Sequence, residues 1–487
     1  MGNSINNRRI ISNLLWRFFE RCGAQGVTFL VTLVLARLLD PNVYGVLALV
    51  TVFTTILQVF VDSGLGSALI QKKDANQTDF SSVFYFNMAV CLVLYGLMFA
   101  AAPLIASFYD MPELTPIVRV MGLTLVISGV KNVQQAYVSR KLLFRRFFFA
   151  TLGGTIGAAV VGIAMAYKGY GVWALVAQNL FNQTLDTTIL WLTVKWRPTL
   201  EFSWQRLKAL LNYGWKLLAS GLLDTVYNNL RQLIIGKLYT TKDLAFYNKG
   251  DDFPRVLSNN INTSIDSVLL PVMSQAQEDA ARVKAMLRKS IMVGTYVLAP
   301  LMVGMAFIAE PMVKLLLTEK WLPCVFFLRI FCVTYLFYPI HTANLNALKA
   351  LGRSDLFLKL EIAKKAVGLT VLLSVMWFGV KVMAYSLLFT SVVSMIINAW
   401  PNRKLLNYGY KEQIVDILPS VLLSLVMGIL VYGIGFFHLH TLLTIVIQII
   451  IGGAFYILVS AILKLEAFEY LFHLIFNFLH KARNGEQ

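Results

Sequence analysis

Arg17, Glu20 and Arg21 stand in the first third of an apolar stretch, residues 13–45, and Arg37 closes it ahead of an Asp40-Pro41 turn. Each such charge near the centre of a bilayer costs about 2.5–3.5 kcal/mol on insertion scales, so a span holding several must give them a polar cavity or opposite charges. Three further apolar stretches are polar in the same way. Residues 43–70 carry Asp62. Residues 208–238 carry Lys216, Asp224, Asn228, Asn229 and Arg231, and residues 243–273 carry Lys249, Asp251, Asp252, Arg255, Asn259 and Asp266. Cations outnumber carboxylates among these groups, and guanidinium forks match the geometry of phosphate oxygens, so the chemistry offered is recognition of an anion. The candidate cavity set is Arg17, Arg21, Lys216, Arg231, Arg255, Asn228 and Asn259. Glu20, Asp62, Asp224 and Asp266 are the candidate gate or ion-coupling carboxylates, with Arg17–Asp62 and Lys216–Asp266 as matched ion pairs at equal depth.

Such residues need a membrane bundle to position them. The chain has 487 residues, of which 57% are hydrophobic and 14% charged, against about 25% charged in an ordinary soluble protein. About 14 segments reach the roughly 20 apolar residues that cross a bilayer. The expected class is therefore an all-α polytopic membrane protein. The net charge of +18 gathers at the N-terminus and in the loops after even-numbered spans, as in Arg140, Lys141, Arg145 and Arg146. That asymmetry is a topology signal that places both termini in the cytoplasm, and it removes the need for a nucleic-acid partner. The first apolar stretch is long, charged and without a small-residue cleavage site, so no cleaved leader is expected.

Enzyme signatures are missing. No GxxxxGK[ST] loop, HExxH or GxSxG occurs, and the external loops are short. Cys22, Cys91, Cys324 and Cys332 lie in apolar spans without metal-like spacing and read as packing residues, as does His341 near Asn344 and Asn346. No metal or cofactor is implied.

The chain also repeats itself. Asn13, Trp16 and Arg17 return as Asn212, Trp215 and Lys216, and Ala36-Arg37-Leu38 returns as Gly236-Lys237-Leu238. Asp62-Ser63-Gly64-Leu65 returns as Asp266-Ser267-Val268-Leu269, Pro103 as Pro311, and Tyr170-Gly171-Val172 as Phe378-Gly379-Val380. The constant order implies two pseudo-symmetric six-helix lobes in parallel repeat, residues 1–194 and 208–406, joined by a polar connector at 195–207. Two further spans occupy 407–464, and 465–487 is an amphipathic cytoplasmic tail. The first four helices with in-span charges, two from each lobe, are expected to line one water-accessible cavity, whereas the fifth and sixth spans read as scaffold.

The stretches LARLLDPNVYG, DSGLGSALIQ, SGLLDTVYNNLRQLIIGKLY, FYNKGDDFP and LLPVMSQ resemble the polysaccharide transporter family of the multidrug/oligosaccharidyl-lipid/polysaccharide (MOP) flippase superfamily, in particular Wzx-type O-antigen and exopolysaccharide flippases. The likeness covers nearly the whole chain. It implies the MOP-flippase fold, a bacterial inner-membrane location, and movement of a polyprenyl-diphosphate-linked oligosaccharide to the periplasmic leaflet by alternating access. The partners implied are the lipid-linked glycan, membrane lipids and a glycan polymerase or export machinery. Coupling to a Na+ or an H+ gradient stays open. So do a lipid II-type flippase and a multidrug or cation antiporter of the same superfamily; a membrane-embedded glycan polymerase would show a large external loop bearing arginines, and none is present.

Overall fold

A computed structural model describes the backbone of residues 7–484 except 63, 73, 142, 438 and 439, and the side chains among them except those of 7–22, 144, 213, 475 and 478–484. The described chain is helical throughout. In the first part lie α1 (Asn7–Leu38), α2 (Pro41–Asp62), α3 (Leu65–Gln71), α4 (Gln77–Phe108), α5 (Leu114–Arg140), α6 (Phe144–Tyr167), α7 (Val172–Thr193) and α8 (Trp204–Leu238). Then follow α9 (Thr241–Gln275), α10 (Ala280–Leu316), α11 (Cys324–Leu336), α12 (Tyr338–Ala350), α13 (Ser354–Val375), α14 (Val380–Leu405), α15 (Tyr410–Ile434), α16 (Thr441–Ile462) and α17 (Glu466–Asn484).

Each of the apolar segments read from the sequence falls on one of these helices or on a broken pair. Among the described residues, nine helices are both long and apolar enough to cross a membrane. Those that miss that mark include α8 and α9, whose charges lower their hydropathy; of α1 the segment Gly23–Leu38 is apolar but shorter. A band of exposed leucine, isoleucine and valine, such as Leu92, Val93 and Leu97 on α4 and Val426 and Ile429 on α15, marks the lipid-facing surface.

The chain divides into two compact units, Met1–Ala245 and Phe246–Gln487. In the first, α2 packs against α5, α7 and α8, α1 against α6, and α4 against α5. In the second, α10 is central and packs on α11, α12, α15 and α16. The two copies of the repeat share local devices. Gly171 (φ 55°) and Gly379 (φ 100°) both adopt positive φ immediately before α7 and α14, a conformation that a Cβ disfavours. Their differences also trace to single residues. Gly64 (φ 67°) breaks the first copy into α2 and α3, whereas Val268 at the matching position keeps α9 continuous, because a β-branched residue does not adopt that conformation. Pro339, without an amide hydrogen, sits at the start of α12 where α11 ends.

The connector lies along α4. Gln77 donates to the Arg197 carbonyl (2.6 Å), Thr199 and Ser203 amides donate to Ser81 and Ser82 (3.0 and 2.9 Å), and the fully buried Asp79 takes Lys72 at 3.0 Å. The polar groups of a segment without helix are thereby satisfied.

Candidate functional site: a polar cavity in the first unit

α2 presents Thr51, Thr54, Thr55, Gln58 and Asp62 on one face, at i, i+3, i+4, i+7 and i+11, a stripe that a 3.6-residue period brings into line. α5 adds Thr124, Ser128, Lys131, Asn132 and Gln135, α7 adds Asn179 and Gln183, and α8 adds Thr225. Between them is a cavity of about 560 Å³. That volume lies in the range that holds small organic ligands. Its walls are mostly hydroxyls and carboxamides, with Val59, Met121, one carboxylate and one ammonium among the lining residues.

Hydrogen bonds fix the walls. Gln58 and Asn132 each donate to one oxygen of Asp62, at 3.3 and 3.2 Å, and Asn132 also approaches the Val61 carbonyl at 3.4 Å. Ser128 donates to Gln183 (3.4 Å) across from α5 to α7. Lys131 is ion-paired with Asp186 on α7, a residue only 7% exposed, which gives the buried carboxylate the opposite charge it needs. Several threonines instead bond their own helix, as Thr51 does to the Leu47 carbonyl at 2.7 Å, and leave a second lone pair for a visitor.

Seen against the expected set, α1 carries Arg17, Glu20 and Arg21 on its described backbone, but their side chains lie outside the described residues. On α8, Asp224, Asn228 and Arg231 follow at i, i+4 and i+7, one face of the helix, beside the cavity residue Thr225. Lys216 is exposed on the same helix. Asn259 is exposed on α9, in the second unit, and Asp266 accepts from Asn346 of α12. Arg255 is not a free cation: it pairs with Asp252 (3.0 Å) and Asp251 (3.4 Å), while Lys249 pairs with Asp252 (2.9 Å) and Tyr335 donates to Asp251 (2.7 Å). This cluster of α9 is neutral in sum, two cations against two carboxylates, so Arg255 is not left unmatched for an anion.

The sequence reading passed over Thr51, Thr54, Gln58, Ser128, Asn179, Gln183 and Asp186, and treated the sixth span as scaffold. A signal is present: Asn179, Gln183 and Asp186 recur at i, i+4 and i+7 on one face of α7, but Gln178, Asn182, Thr184, Thr187 and Thr188 on the same helix blur the stripe.

α8 seals one flank of this unit. It runs antiparallel to α2 in close approach: a Cβ on Gly236 would stand 2.1 Å from Leu49, and just beyond α8, at the start of α9, the Thr241 carbonyl oxygen would stand 1.8 Å from a Cβ on Gly45. At the opposite end the approach relaxes, with 3.3 Å from Gly221 to Val59 and 3.1 Å from Gly64 to Gly214. Lys237 clasps the turn after α4 through Asp110 (3.0 Å), and Tyr109 donates to the Leu233 carbonyl at 3.4 Å.

Comparison with known proteins gives this fold a context. Residues 34–326 match the model of a family described as polysaccharide biosynthesis protein. The succinoglycan biosynthesis transport protein ExoT of Rhizobium meliloti (strain 1021) is 25% identical over 66% of this chain and 65% of its own length. The lipopolysaccharide biosynthesis protein WzxC of Escherichia coli (strain K12) is 20% identical over 87% of this chain and 89% of its own. Among solved structures, the lipid II flippase MurJ in an inward closed conformation superposes with a TM-score of 0.74 at 14% identity, covering 93% of this chain and 98% of MurJ. An inward-facing multidrug resistance MATE family transporter of the MOP superfamily superposes with a TM-score of 0.54 at 14% identity, over 80% and 94%. These likenesses establish the MOP fold.

Proposed function

The chain belongs to the polysaccharide biosynthesis protein family, a multi-pass membrane transport protein and not an enzyme, and from that premise we propose that it flips a polyprenyl-diphosphate-linked oligosaccharide from the cytoplasmic to the periplasmic leaflet of a bacterial inner membrane by alternating access. The observation that carries this reading is the cavity between α2, α5 and α7, whose lining is mostly hydroxyls and amides. Such groups donate and accept in equal measure and so match sugar hydroxyls, whereas a purely apolar drug would leave them unpaired. The diphosphate calls for cations, and Arg17, Arg21, Lys216 and Arg231 are the groups proposed for it. Asp62, with two amide donors on one oxygen and its other face toward the cavity, is the proposed site of coupling to a sodium or proton gradient. A glycan polymerase or export machinery is the proposed partner that consumes the flipped product.

Transport into the opposite leaflet of reconstituted vesicles tests the reading. Defined polyprenyl-diphosphate glycans are expected to cross, lipid II to cross more slowly, and cationic dyes not to be moved. Alanine at Arg17, Lys216 and Arg231 is expected to lower the rate of glycan transfer. Transfer of a dye without transfer of any polyprenyl glycan overturns the proposal in favour of an antiporter; transfer that ignores all three alanine changes removes the cationic part of the mechanism.

A further inference from the structure

The last helix has a job of its own. α16 ends at Ile462, and only residues 463–465 separate it from α17. The turn is sharp: Lys464 adopts φ 48°, its amide donates to the Ala461 carbonyl, and the Leu465 amide reaches back to Ser460 at 3.1 Å. A non-glycine residue held in the left-handed region redirects the chain off the α16 axis. The start of α17 is then bolted to the second unit. Arg288 of α10 forks to both oxygens of Glu466 at 2.8 Å while its Nε bonds Asp416 of α15 at 3.0 Å, and Tyr408 donates to the same Asp416 at 2.6 Å. Behind this network Ala467 is 5% exposed and Phe468 packs on Tyr296 with ring centroids 6.4 Å apart.

A helix docked on protein by one face should be polar on the others, and this one is not. Phe472 and Phe476 are each 57% exposed and stacked on one another, and Leu474 is 50% exposed. At about 100° per residue, Phe472 and Phe476 stand close together on one side of the docked face and Leu474 on the other, while Glu469, Tyr470 and His473 line a groove with Lys289, Met292 and Val293 of α10. The apolar flanks continue the lipid-facing band of α16, where Leu458, Ile462 and Leu463 are 62%, 76% and 60% exposed. Lys464 and Lys289 stand beside them, Lys289 with its ammonium 4.9 Å from the centre of the Tyr470 ring.

We propose that α17 is a bundle-bound interfacial anchor that lies in the headgroup layer of the bilayer, its flanks among the upper acyl chains, and that Lys464 and Lys289 recognise anionic lipid headgroups. The partner is the lipid surface itself: apolar flanks joined to a membrane-spanning helix by three residues have nowhere else to go, and cations at that depth gain from negative lipid.

Nitroxide labels on single cysteines placed at Phe472, Phe476 and, as water-facing references, Glu278 and Lys411, both exposed, in a chain whose four native cysteines are alanine, read the depth. Labels at 472 and 476 are expected to collide more with oxygen, and those at 278 and 411 more with a water-soluble nickel chelate. Nickel access at all four positions overturns the anchor. Hydrogen exchange on the unmodified protein reads the headgroup part: amides of α17 are expected to be protected by about fivefold more for each cation in phosphatidylglycerol vesicles than in phosphatidylcholine. Lys464→Gln combined with Lys289→Gln is expected to abolish the difference. Equal protection in the two lipids, with labels at 472 and 476 still oxygen-accessible, keeps the anchor and overturns lipid selectivity.

Discussion

Lys131 and Asp186 show what single residues contribute. Both are largely buried, so removing one partner leaves an uncompensated charge, and Lys131→Met is expected to cost about 3–5 kcal/mol, read as a lower melting temperature in detergent. Lys131→Met with Asp186→Leu is expected to recover most of that loss, because a matched apolar pair replaces the matched ions; a double variant as unstable as the single one refutes the pairing. Asn132 and Gln183 are different, since their amides face a cavity and hold little of the fold. Gln183→Leu is expected to leave the melting temperature nearly unchanged and to raise the apparent KM for glycan transfer several-fold, the worth of one hydrogen bond of about 0.5–1.5 kcal/mol. At the surface, the turn between α12 and α13 carries a pH test. Hydrogen bonding from Arg353 holds the Asp355 carboxyl down at about 2, below its usual 3.8. A depressed carboxylate stabilises the folded turn at every pH above 3.8 and loses that contribution as pH falls toward 2. Amide exchange in the first turn of α13 is therefore expected to be flat from pH 7 to 5 in the ratio of wild type to Asp355→Asn, and to converge below pH 3.

The element that matters most is the seam of α2 with the end of α8 and the first residue of α9. A methyl carbon on Gly45 would occupy the space of the Thr241 carbonyl, and backbone cannot step aside as a side chain can. Gly45→Ala is expected to destabilise by about 1–3 kcal/mol and to raise hydrogen exchange at both helix ends, whereas Gly26→Ala on α1, where nothing lies within reach of a new Cβ, is expected to be neutral or slightly stabilising. Equal effects at the two positions would refute the close approach. The turn signals of these helices were legible in the sequence: Asp40-Pro41 and the repeated small residue before Arg37 and Lys237 mark the ends. The reason for glycine at 45 was not legible, because it lies in a segment that arrives from nearly 200 residues away along the chain.

At the scale of the whole molecule, the basic loops predict that both termini share the cytoplasmic side. A fluorescent protein fused after Gln487 is expected to glow, and alkaline phosphatase at the same place to stay inactive; the reverse pattern overturns the orientation. The fold itself was close to determined by pattern. Long apolar runs can satisfy their backbone only as helices in a bilayer, and the tandem recurrence of Asp62 as Asp266 and Gly171 as Gly379 is the ground on which two lobes are expected.

What the sequence by itself determined, then, is what depends on local composition and period: an all-helical membrane chain and its family. Tertiary structure decided which polar groups spend their hydrogen bonds on each other. Arg255 and Lys249 look available in the sequence and are neutralised by Asp251 and Asp252 in the fold, while neutral Asn132, Gln58 and Gln183 converge on a cavity that no pairwise spacing announces. The physical reason is that charge is a property of one residue, whereas a binding surface is a property of faces from α2, α5 and α7 that meet only after packing.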